Sequence, residues 1–126
     1  MAVLLIVDDN AKMRKLIRNV LQEFETIHEC VDGADALRAY AEHHPDWVVM
    51  DIHMPKLNGI KATQQIIATF PDARVVILSK FKDAETREAA REAGACNYVV
   101  KEDLLSLREI LGPQAESAGI FPHDLC

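Results

Sequence analysis

The chain has no lysine or arginine ahead of its first apolar run, and that run, "MAVLLIV", is broken by two acids at Asp8 and Asp9. A secretory signal needs a basic lead-in and a spanning helix needs about 20 apolar residues, so neither is expected. Cysteine is scarce: Cys30, Cys96 and Cys126 are widely spaced and odd in number. None has the paired spacing of a zinc site, and all three are expected to be reduced thiols. Basic charge is also in deficit, with 14 Lys and Arg against 20 Asp and Glu for a net charge of −6. That balance disfavours direct capture of nucleic acid or of an anionic membrane. No internal repeat and no low-complexity tract is found. The sequence predicts a soluble, cytoplasmic protein.

What is present is an alternation. At 126 residues the chain has room for one core. Short β-branched runs alternate five times with segments of helical period, the pattern of a parallel sheet with crossover helices. The strands are expected at 3–7, 26–31, 47–50, 74–78 and 97–100. The first helix carries Met13, Leu16, Ile17, Val20, Leu21 and Phe24 at helical spacing, with Asn10 placed to cap it. The second is expected over 34–43 and the third over 59–69, after Asn58 and before Pro71; the fourth runs from a cap at Asp83 to Gly94. A fifth carries Leu104, Leu107 and Leu111 and ends at Gly112–Pro113. Residues 1–112 are thus expected to form one domain, with 113–126 as a tail or the start of a linker.

The polar residues are not scattered. In an open parallel sheet, functional groups collect beyond the carboxyl ends of the strands. Asp8 and Asp9 follow the first strand, Asp51 the third, Ser79 the fourth and Lys101 the fifth. Three carboxylates meeting at one spot repel and raise one another's pKa unless a cation is shared. A hard divalent ion, Mg²⁺ or Mn²⁺, meets that need with oxygen ligands and takes phosphate oxygen readily. Lys101 then offers a point charge and Ser79 a hydroxyl to phosphoryl oxygens. The set has the makings of a phosphoryl-transfer centre.

With "VDD" at 7–9, "MDIHMPKLNG" at 50–59, "ILS" at 77–79 and "NYVVK" at 97–101, the chain resembles the receiver domains of two-component response regulators. Its flavour is closest to receivers that precede LuxR-type helix-turn-helix domains. The resemblance implies a flavodoxin-like doubly wound (βα)5 sandwich with strand order 2-1-3-4-5. It implies that Asp51 takes a phosphoryl group from a sensor histidine kinase. Asp9 would be a direct metal ligand, Asp8 would act through water, and His53 would contribute its backbone carbonyl. Ser79 and Lys101 would bind phosphoryl oxygens, and Tyr98 would rotate as Ser79 moves. The surface of the fourth helix, fifth strand and fifth helix would then signal to an output domain, a partner protein or a second copy of the chain. Such a domain assists its own modification and is not a turnover enzyme.

Two positions depart from the usual pattern. Lys80 stands directly after the hydroxyl residue, where a small side chain is common, so it can crowd attacking water or add phosphate affinity. Glu102 rather than proline follows Lys101, and a cis bond there would cost about 3 kcal/mol, which leaves the isomer open. The His53 side chain can tune hydrolysis or simply face solvent. Two other functions compete with the first: a haloacid-dehalogenase-like phosphohydrolase, disfavoured because His53 occupies the place of its second acid, and a receiver-like module that binds without phosphorylation.

Overall fold

The first apolar run enters the middle of a sheet. The computed structural model describes residues 2–111. Its elements are β1 (Val3–Val7), α1 (Ala11–Val20), β2 (Thr26–Cys30), α2 (Ala36–His43), β3 (Trp47–Met50), α3 (Gly59–Thr69), β4 (Val75–Ser79), α4 (Ala84–Glu92), β5 (Asn97–Val100) and α5 (Ser106–Leu111). Short 3₁₀ turns at Gly33–Asp35 and Lys101–Asp103 lead toward α2 and α5. All pairings are parallel and the strand order is β2-β1-β3-β4-β5, the expected flavodoxin-like arrangement.

Helices cover both faces, so the inner strands can be apolar on both sides. Leu5, Val7, Val48, Met50 and Ile77 pack against Tyr40 of α2, Ile66 of α3 and Ala90 of α4. On the other face Leu4, Ile6, Val49 and Leu78 meet Ile17 of α1 and Leu107 and Leu111 of α5. Each fully buried large apolar side chain contributes about 1.5–3 kcal/mol. β2 lies at an edge and is only partly buried, consistent with its mixed sequence "TIHEC".

The caps fall where the sequence places them. Asn10 Oδ1 accepts the Met13 amide at 3.0 Å, Asn58 Oδ1 the Lys61 amide at 2.9 Å, and Asp83 Oδ2 the Thr86 amide at 2.9 Å. Each such cap contributes about 1 kcal/mol. Gly94 has φ +104°, the left-handed conformation that closes α4.

Boundaries shift where the chain must turn. α1 stops at Val20, yet Leu21 and Phe24 remain buried, so their apolar spacing extends the helical pattern past the helix itself. β2 ends at Cys30, and Val31 is exposed. β4 begins at Val75 and includes Ser79; Arg74 instead donates to the Asp46 carbonyl and lies over the Trp47 ring. Leu104 precedes α5 because the 3₁₀ turn intervenes. No cis peptide occurs among the described residues, so the Lys101–Glu102 bond is trans. Cys30 is a buried free thiol, as expected, and Cys126 lies outside the described residues. The expected tail, 113–126, lies outside the described residues. Among those described, no helix is long and apolar enough to cross a membrane.

Candidate functional site

Strand register aligns the polar residues at one edge. Val7 pairs with Met50 and Met50 with Ile77, and the Asp51 amide donates to the Val7 carbonyl at 2.9 Å. The next residues on β1 and β3 therefore emerge side by side. One carboxylate oxygen from each of Asp8, Asp9 and Asp51 lies within 4.8 Å of the others. Asp8 is 1% and Asp51 7% exposed, whereas Asp9 faces solvent.

Lys101 reaches the same spot from the end of β5. Its Nζ lies 3.1 Å from Asp51 Oδ1 and 3.4 Å from Asp8 Oδ2. One ammonium does not balance three carboxylates. The Asp51 carboxyl is accordingly held above its ordinary value, first by burial and then by Asp8, against the opposing pull of Lys101 and the Ile52 amide. Asp8 Oδ1 accepts the Asn10 amide at 2.8 Å, but Oδ2 is buried with no hydrogen-bond partner. A buried charged oxygen with no hydrogen bond among the described residues and only one shared ammonium nearby, beside two further carboxylates, fits a hard divalent cation.

Above the acids is a cleft of about 180 Å³ lined by Asp9, Asn10, Asp51, His53, Ser79, Lys80 and Lys101. The sequence-predicted residues thus converge, with one exception. Tyr98 does not line the cleft; half-buried on β5, it donates its hydroxyl to the Phe81 carbonyl at 2.8 Å, with the Arg87 guanidinium 4.8 Å over its ring.

A family profile described as the response regulator receiver domain matches residues 4–111. The chain belongs to this family. A relative, the uncharacterized transcriptional regulatory protein YhcZ of Bacillus subtilis, is 35% identical over 97% of this chain and 61% of its own length. This receiver therefore spans about three-fifths of that relative. A solved LuxR-family two-component response regulator from Aurantimonas superposes with a TM-score of 0.82 at 32% identity, covering 94% of this chain and 86% of that one. A CheX–CheY–BeF₃–Mg²⁺ complex from Borrelia burgdorferi has a TM-score of 0.79 at 27% identity, with 86% and 88% coverage.

Two side chains of this receiver's site, and the packing of a glycine that the sequence motif at 50–59 already contains, escape sequence reasoning. Phe81 joins the groups around the cleft: its amide donates to Ser79 Oγ at 3.1 Å, its carbonyl accepts Tyr98, and its ring meets His53 edge-on at 4.8 Å. Asp32, 5% exposed, accepts amides of Ala34, Lys56 and Leu57 at 2.9, 2.9 and 3.0 Å and so fastens the loop after β3. Those bonds hold its carboxyl below the ordinary range despite burial. Gly59 packs so closely under Asp51 that a Cβ would sit 1.8 Å from the Asp51 carbonyl oxygen. The only sequence signals were an exposed aromatic two residues beyond Ser79, the pair Asp32–Gly33, and a glycine just after a cap.

Proposed function

We propose that residues 1–112 are a phosphoacceptor whose occupied state controls an output, with 113–126 a tail or the start of a linker. The observation that carries this reading is the convergence of the three carboxylates with Lys101 at one cleft. In the proposed step an Asp51 carboxylate oxygen attacks phosphorus of a phosphohistidine on a sensor kinase. A P–O bond forms, the P–N bond breaks, and the electron pair returns to the imidazole.

Asp8, Asp9, Asp51 and the His53 backbone carbonyl would hold Mg²⁺ or Mn²⁺, which supplies charge neutralisation for the incoming phosphoryl oxygens. Lys101 takes one phosphoryl oxygen as its partner in place of Asp51, and Ser79 donates its hydroxyl to another. Ser79 Oγ, which accepts the Phe81 amide, keeps its own hydrogen for that donation, and as Ser79 draws toward the phosphoryl group Phe81 and Tyr98, tied to it, respond. The surface of α4, β5 and α5 then presents a different face to an output domain, a separate protein or a second copy. The domain itself works in the cytoplasm as a signalling switch without turnover, and any control of transcription lies with a further domain.

Incubation with Mg²⁺ and acetyl phosphate tests this. One added phosphoryl group per chain, absent in Asp51→Asn, is the expected result. Steady phosphate release at high turnover would instead indicate a hydrolase, and no reaction a module that binds without phosphorylation.

A further inference from the structure

Asp8 is contacted at four of its atoms: Lys101 faces its Oδ2, and the other three are held by backbone groups and by Arg14. The Asp8 amide donates to the Cys30 carbonyl at the end of β2 at 3.1 Å, and its Oδ1 accepts the Asn10 amide within the turn after β1. Its backbone carbonyl accepts Arg14 Nη1 at 2.8 Å. The same guanidinium donates through Nε to Glu29 Oε1 at 2.7 Å, and Arg18 binds the other Glu29 oxygen. Glu29 sits on β2, opposite Ile6 of β1. The Arg14 amide also donates to the Asn10 carbonyl at 3.0 Å. One planar fork therefore ties the turn between β1 and α1 to the edge strand, and the Arg14 side chain is only 15% exposed.

We propose that Arg14, braced by Glu29, is a positioning residue that aims Asp8 Oδ2 and Asp9 into the metal site. This rests on the divalent-cation reading above. Outer groups that orient ligands typically govern metal affinity by about 10–100-fold. The sign of the effect separates this role from simple electrostatics. Deleting a positive charge near a cation site should tighten Mg²⁺ binding by Coulomb's law, whereas loosening the turn should weaken it.

Calorimetric titration with MgCl₂, free of phosphodonor, reads the difference. Arg14→Gln is expected to weaken Mg²⁺ binding about tenfold. Arg18→Gln removes the same charge and frees one Glu29 oxygen while Arg14 keeps the other, but it does not touch Asp8, and its affinity should stay within about twofold of wild type. Arg14→Lys, which keeps the charge but not the fork, should also bind more weakly, and it serves if Arg14→Gln fails to fold. Arg14 variants that bind Mg²⁺ as tightly as wild type, or equal losses in the Arg14 and Arg18 variants, would overturn the proposal. Absence of Mg²⁺ binding in the wild type would overturn the reading of the site itself, and the role of Arg14 with it.

Discussion

Replacing Asp8 by asparagine should make the metal-free protein more stable while removing its response to Mg²⁺. At an effective dielectric constant of about 20, carboxylates within 4.8 Å of each other repel by at least about 3.5 kcal/mol. On the same scale the Lys101 contact at 3.4 Å returns about 5 kcal/mol. Asp8 thus suffers two repulsions, one softened because Asp9 is exposed, against a single attraction of similar size. Its Oδ2 is also a buried charged oxygen without a hydrogen bond, which costs about 1–3 kcal/mol. Asparagine removes the charge, and its side-chain oxygen can still accept the Asn10 amide. The expected gain is about 1–2 kcal/mol, or roughly 4–8 °C in Tm for a domain of this size. At 100-fold excess over Kd, Mg²⁺ should stabilise the wild type by about 2.7 kcal/mol. The order of melting therefore reverses on adding the ion. Thermal melts of both proteins, with and without MgCl₂, measure all four states. An asparagine variant that melts below wild type without Mg²⁺, or that gains as much from Mg²⁺, would refute the account of the cluster.

Protons should compete with the cation at Asp51, whose carboxyl is raised by burial and by Asp8. Mg²⁺ affinity is therefore expected to fall as pH drops through that raised value, and titrations at neutral and mildly acidic pH would show it. Without metal the sign reverses: the ionised carboxylate penalises the folded state, and that penalty is relieved as pH falls through the raised pKa toward 3.8. Lys80→Ala should change the lifetime of the phosphorylated protein, because Lys80 lines the cleft; identical decay of the two phosphoproteins would count against this. Gly59→Ala should cost at least about 2 kcal/mol and impair Mg²⁺ binding, since the methyl collides with the Asp51 carbonyl; unchanged urea unfolding would contradict it.

The inner strands were legible because burial on both faces demands unbroken apolar runs, and "VLLIV" and "WVVM" can hardly be anything else. The five site groups were legible for a related reason: parallel strands deliver successive polar residues to one edge. Helix ends were harder. Leu21 and Phe24 carry helical spacing while lying in the turn after α1, because a turn over the core buries the same side chains as a helix would. The holds on the site were not legible at all. Arg14 and Glu29, or Asp32 and Leu57, become neighbours only once strand order is known, and a guanidinium meeting a backbone carbonyl leaves no spacing in the sequence.

The grip of Asp32 on the Lys56 and Leu57 amides bears on protein engineering. Swapping the 51–59 segment between receivers would treat that segment as a free-standing cassette. Here part of its fastening comes from the turn between β2 and α2, and Gly33 is packed so tightly on the Leu57 carbonyl that no side chain would fit. The transplantable unit is therefore two discontinuous pieces, and grafts that carry 51–59 without residues 32 and 33 should arrive with the acceptor misaligned.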